Sequence, residues 1–214
     1  MFGITQFPFF IVAVLLLNAT PGPDTAYIVG RSVSQGRSAG LVSALGISAG
    51  CCVHSLACAF GLTALLAASA AAFTVIKLVG AAYLVYLGVM LLLKRPAADL
   101  NDEAPAPPVA ATRSLRALFL QGFWTNVLNP KVVLFFVSFF PQFVSAASPH
   151  KTLAFLVLGA VFVLMSTGWN GTVAWLAGTI TRRMGKNLSL RRWLDRLIGS
   201  AFVALGIKLA TVHR

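Results

Sequence analysis

The sequence predicts an all-α polytopic membrane protein: six transmembrane helices in two inverted three-helix repeats, with the first and fourth helices broken. Three observations predict it. Six apolar runs are each long enough to cross a bilayer, Lys and Arg collect in alternate connections between them, and proline-centred interruptions fall in the first and fourth runs. Composition agrees, because 58% hydrophobic and 10% charged residues, with a mean hydropathy of +0.85, lie far outside the range of soluble domains.

A hydrocarbon core of about 30 Å demands roughly 20 apolar residues of helix. Runs near 7–34, 39–66, 72–93, 115–145, 152–180 and 193–212 meet that length. Their polar residues are scattered rather than alternating, which excludes a β-barrel and leaves the backbone to be satisfied within helices. The first run lacks the basic flank of a secretory signal and is expected to be retained as a span.

Basic residues then orient the spans. The connections after spans one, three and five carry Arg31 and Arg37; Lys94, Arg95, Arg113 and Arg116; and Arg182, Arg183, Lys186, Arg191 and Arg192. The other side holds little beyond Lys77, Lys151, Lys208 and Arg214. The positive-inside rule puts the basic loops in the cytoplasm and both termini outside, as a multi-pass protein of a bacterial inner (cytoplasmic) membrane. The net charge of +12 therefore flanks membrane spans and suits anionic lipid headgroups, not nucleic acid. The stretch "RRMGKNLSLRRW" (182–193) reads as a cytoplasmic loop or a short amphipathic turn on the lipid surface.

One segment breaks the apolar pattern. "KRPAADLNDEAPAPPVAATR" (94–113) is rich in Pro and Ala, contains Asp99, Asp102 and Glu103, and reads as a flexible linker. It divides the chain into a first repeat at 1–93, a linker at 94–114 and a second repeat at 115–214. Each repeat has three spans, an odd number, so the second must lie upside down relative to the first.

The interruptions occupy matching places in the two halves: "LLLNATPGPDTAYIVGR" (15–31) in span one and "LFLQGFWTNVLNPKVVLFFVSFFPQF" (118–143) in span four. Paired breaks in inverted halves point to a transporter's binding site, because unwound backbone exposes groups that must face a ligand or water. Pro21 and Pro23 remove two amide donors, so carbonyls near Leu17 and Asn18 should lose their partners. Pro23 and Asp24 suit the first turn of a new half-helix, whose amides and dipole favour an anion such as a substrate carboxylate.

Asp24 is the only acidic residue placed within a span, where an ionisable group must be paired, solvated or protonated, so it is expected to face a cavity. Aligning Pro23-Asp24 on Pro130-Lys131 sets an acid against a base, which suits a zwitterionic ligand or a charge pair closing the pathway. The plainer alternatives are that Asp24 caps its half-helix and that Lys131 snorkels.

At "NATPGPD" (18–24) and "NPK" (129–131), within six spans and around a polar central loop, the chain resembles the lysine exporter superfamily of LysE-type translocators, in particular its threonine/homoserine (homoserine lactone) efflux branch. The likeness extends over nearly the whole chain. It implies export of amino acids or their derivatives coupled to proton entry, with no cofactor. It also implies that Asn18, Pro21, Gly22, Pro23, Asp24, Asn129, Pro130 and Lys131 lie at the substrate and ion site.

Further polar residues carry two readings each. His54, within "GCCVHSLACAFG" (50–61), either relays protons or bonds to a neighbouring helix. Asn126 and Asn170 either line the cavity or bridge helices. Gly46 and Gly50, spaced as small-xxx-small, read as a close helix contact, and Trp124, Trp169, Trp175 and Trp193 as interfacial anchors or packing.

Three rivals are weighed against export. A membrane thiol–disulfide electron carrier of the related superfamily needs two cysteines at the helix breaks, whereas Cys51, Cys52 and Cys58 all lie in the second span and are expected to be reduced and packed. An enzyme is not expected, since the sequence has no GxSxG elbow, no HExxH and no acid cluster to hold a metal. A noncatalytic membrane subunit is the third. The partners expected are an amino-acid-like small molecule, protons and membrane lipids, with a homodimer left open.

Overall fold

The computed structural model describes residues 2–64, 70–93, 113–145, 147–184 and 188–211. Eight α-helices account for nearly all of them: α1 (Phe7–Ala19), α2 (Pro23–Gln35), α3 (Arg37–Ala57), α4 (Ala70–Leu93), α5 (Leu115–Val127), α6 (Pro130–Phe139), α7 (Lys151–Met184) and α8 (Leu188–Thr211). A π-helical turn, Cys58–Leu62, prolongs α3, and a 3-10 turn, Phe140–Phe143, prolongs α6. Of the expected linker at 94–114, residues 94–112 lie outside the described residues, as do the side chains of the basic residues between 182 and 192.

Helix ends follow from local chemistry. α1 stops at Ala19 because proline at 21 and 23 withholds the next amide donors. α2 restarts with Pro23 in its first turn, where a fixed φ and a missing N–H cost nothing. Gly36 turns α2 into α3 at φ 88°, a conformation that side chains with a Cβ avoid. α5 begins at Ser114, whose Oγ accepts from the Ala117 amide at 3.3 Å, and ends before Pro130, which holds Asn129 in extended backbone. Asn129 then caps α6, its Oδ1 accepting from the Lys131 amide at 3.1 Å.

Among the described residues two helices, Arg37–Leu62 and Lys151–Ala177, are long and apolar enough to cross a membrane unaided. Two bent pairs reach that length when each is taken as one broken span: α1 with α2 at 52°, and α5 with Pro130–Phe143 at 49°. The expected breaks in the first and fourth runs are thus present, and α4 and α8 occupy the third and sixth runs. The stretch 182–193 departs from the expectation of a loop or turn. α7 continues to Met184 and α8 already starts at Leu188, so only 185–187 separate them outside the described residues. Asp195 lies within α8, the helix of the sixth run, as a second acid in a helix of the apolar runs beside Asp24.

Glycines set the helix spacing. A Cβ on Gly50 would stand 2.7 Å from Asn126 Oδ1 and 3.0 Å from the Phe123 carbonyl, and one on Gly46 would collide with the Phe119 carbonyl, so α3 rests directly on α5. α4 and α8 meet in the same way, with Gly88 against the Gly199 carbonyl at 2.6 Å and Gly206 against the Ala81 carbonyl at 2.8 Å. Gly50→Ala is therefore expected to lower thermal stability by about 1–3 kcal/mol through overpacking. Gly168→Ala, with nothing within 4 Å of the added methyl, should leave melting unchanged or raise it. Equal melting of the two variants would contradict the contact.

Phenylalanines fill the interior around α6: Phe10, Phe135, Phe136, Phe139, Phe140 and Phe143 are fully buried, and Phe136 stacks on Phe140 at 4.3 Å. The N-terminal residues are tied to the end of this cluster, Thr5 N donating to the Phe143 carbonyl at 2.8 Å and Ser145 N to the Gly3 carbonyl at 2.8 Å. The outer surface is apolar, with Leu128 and Leu164 each 73% exposed, an arrangement that lipid accepts and water does not.

Candidate functional site

The two breaks meet. In an unbroken α1 the Leu17 carbonyl would accept from the amide of residue 21, and Pro21 has none. Its donor comes instead from the other half of the chain. Lys131, in the first turn of α6, donates from Nζ to the Leu17 carbonyl at 2.7 Å and to the Thr20 carbonyl at 2.7 Å. The lysine therefore neither snorkels to a surface nor gives these bonds to Asp24. Its stem passes beside Gly22, where a Cβ would lie 3.5 Å from Cδ.

Asp24 is held from α5. Its Oδ2 accepts from Asn126 Nδ2 at 2.7 Å, and no side chain caps α2, so Asp24 acts toward the other half rather than as a cap. Asn126 is buried and is itself fixed from α3, because His54 Nε2 meets its main-chain carbonyl at 3.1 Å. A carbonyl only accepts, so Nε2 carries the proton in this arrangement. The His54 ring lies 5.5 Å from that of Phe136. On the first half, Asn18 Oδ1 accepts from Ser166 Oγ of α7 at 3.1 Å.

These groups surround one cavity with about 30 Å³ of room for water-sized molecules, space for a water or two at about 10–15 Å³ each. Asn18, Gly22, Asp24, Asn126, Asn129 and Lys131 line it. Pro21, Pro23 and Pro130 shape the breaks without lining it, and His54 stands behind Asn126. Leu17, Val132 and Phe162 supply an apolar wall. Three buried polar atoms of the lining residues have no hydrogen-bond partner: Asn18 Nδ2, Asp24 Oδ1 and Asn126 Oδ1. Buried polar atoms are paired as a rule, and leaving one unpaired costs about 1–3 kcal/mol, so these three atoms call for two donors and an acceptor from within the cavity, which water can supply.

Sequence reasoning missed part of the lining. Thr25, Cys51 and Ser166 belong to it, and Asn170 lines the cavity as well. Phe162, Ser166 and Asn170 recur every four residues on α7, so one helix face carries all three; that spacing was the available signal. Cys51 and Cys58 are buried and Cys52 is exposed, all unpaired, with no thiol at either break. Among the described residues no group of His, Cys, Asp and Glu is placed to hold a metal ion.

The family model described as LysE type translocator matches residues 15–213. An uncharacterised membrane protein of Pseudomonas aeruginosa is 32% identical over 209 residues, covering 98% of this chain and 96% of its own. Leucine efflux proteins of Salmonella choleraesuis and of an Enterobacter species are 26% and 27% identical over 212 residues, each alignment covering 99% of this chain and 98% of the relative. No solved structure matches.

Proposed function

The chain belongs to the LysE type translocator family, a membrane translocator and not an enzyme, and on that premise we propose that it exports an aliphatic amino acid of the leucine kind, driven by proton entry. The family match carries no placement in the threonine/homoserine branch, and the named relatives are leucine efflux proteins. The observation that carries the reading is the set of unpaired atoms where the breaks meet. Two acceptors, Asp24 Oδ1 and Asn126 Oδ1, suit an α-ammonium. The donor Asn18 Nδ2 and the N-terminal end of α2 suit an α-carboxylate. Leu17, Val132 and Phe162 suit an apolar side chain. The proposed site thus comprises Asn18, Gly22, Asp24, Asn126, Asn129 and Lys131, framed by the prolines.

Room for a water or two does not admit leucine, so the halves must move apart to load it, as expected of repeats that rock about a central site. Contacts between the halves are compatible with such a division: α3 packs on α7, α4 on α8, and Lys131 joins one break to the other, pairings that two-fold-related repeats can make. An orientation with both termini outside is supported by Arg31 and Arg113, whose guanidinium groups both donate to Gln121 Oε1, at 3.1 and 3.0 Å, so two basic connections share one end.

The decisive experiment follows efflux of labelled leucine, threonine, homoserine and lysine from proteoliposomes with and without an opposing proton gradient. Leucine should leave fastest and the gradient should accelerate it; preference for threonine or lysine would overturn the aliphatic assignment. His54 is assigned to bracing Asn126 and not to proton relay. His54→Gln, which retains a donor for the Asn126 carbonyl, should export at the wild-type rate with an unchanged pH profile, and loss of coupling in that variant would restore the relay.

A further inference from the structure

In transporters with broken helices, carbonyls freed by unwinding are where a coupling cation binds. At the first break of this chain that position is already filled. The Leu17 carbonyl, robbed of its helical donor by Pro21, and the Thr20 carbonyl beyond the end of α1 both accept from Lys131 Nζ at 2.7 Å. Those are the lengths of charge-assisted hydrogen bonds. The cation reaches them from α6, across the junction between the halves, and runs alongside Gly22, where an added Cβ would make ordinary contact at 3.5 Å from Cδ and 3.7 Å from Nζ. No hydrogen bond joins the ammonium to Asp24, whose Oδ2 accepts from Asn126 and whose Oδ1 has no hydrogen-bond partner.

We propose that Lys131 is a tethered cation occupying the carbonyl site of a coupling metal ion, so that the carrier works without sodium or potassium and the lysine pins one break to the other. It is a positioning residue: its ammonium satisfies the backbone that frames the cavity and is not itself carried across. The assignment does not depend on which amino acid is exported.

The test exploits the size of the missing piece. Lys131→Ala removes three methylenes and the ammonium, the atoms of propylammonium. Purified Lys131→Ala should melt higher when propylammonium is added, while wild type and Lys131→Met, whose side chain fills the same space without charge, should not respond. In proteoliposomes Lys131→Ala should export more than about tenfold more slowly than wild type, with propylammonium restoring much of the loss, and wild-type export should be unchanged when choline replaces sodium and potassium. Melting of Lys131→Ala that ignores propylammonium, or wild-type export that needs either metal ion, would overturn the proposal. Should Lys131→Ala not accumulate, Lys131→Arg against Lys131→Met decides: a cation requirement makes the arginine variant the more stable, and equal melting refutes it. Because the melting arm reads no transport, it holds even where the substrate assignment fails.

Discussion

Asp24→Asn is expected to leave the protein folded in the membrane and to abolish gradient-driven export. The carboxylate makes one described side-chain hydrogen bond, Oδ2 accepting from Asn126 Nδ2 at 2.7 Å, and an asparagine oxygen can accept the same bond. The second oxygen, Oδ1, is buried without a partner at the cavity, and in the variant an NH2 donor takes its place. An incoming ammonium then meets a donor instead of a charged acceptor, and a charge-assisted bond worth about 1.5–3 kcal/mol is lost, a factor of roughly 10–100 in binding. Two roles give different signatures. If Asp24 binds the substrate's amino group, counterflow falls at every pH together with gradient-driven export. If it carries the coupling proton, counterflow survives and only the response to the gradient disappears. Wild-type gradient-driven efflux in Asp24→Asn would refute both and with them the placement of the site.

What could be read from the sequence was whatever a residue determines within one turn of itself. Prolines at 21, 23 and 130 delete amide donors locally, so both breaks, and the orphaned carbonyl at Leu17, followed from spacing alone. Apolar runs of bilayer length located the helices, two of which, among the described residues, are long and apolar enough to cross a membrane unaided. The identity of the donor that serves Leu17 was not legible, because it comes from α6, 114 residues away in the chain. Pairing Asp24 with Lys131 was the natural guess from charge. The structure instead gives each its own neutral partner from the opposite half, Asn126 for the acid and main-chain carbonyls for the base. Ser166 escaped notice, and Asn170 stayed between lining the cavity and bridging helices, because α7 is unbroken and a polar residue in an intact helix carries no local sign of facing a cavity. The start of α8 was set too late because Arg191 and Arg192 interrupt the apolar run, although charge at a span's end does not stop a helix.

That division of partners fixes what a double substitution should do. Lys131→Met leaves the Leu17 and Thr20 carbonyls without their ammonium donor, at about 1–3 kcal/mol for each carbonyl that finds no other donor. Removing the acid as well supplies neither carbonyl with a donor. Asp24→Asn combined with Lys131→Met should therefore melt no higher than Lys131→Met alone, and the two costs should add to within about 0.5 kcal/mol. A direct ion pair gives the opposite result, since the first substitution would strand a charge in a poorly solvated place and the second would relieve it. Thermal melting of the wild type, both single variants and the double variant, purified in detergent, distinguishes them. Recovery in the double variant would mean that Lys131 is held by Asp24 in the membrane and not by the unwound end of α1, and the tethered-cation assignment would fall with it.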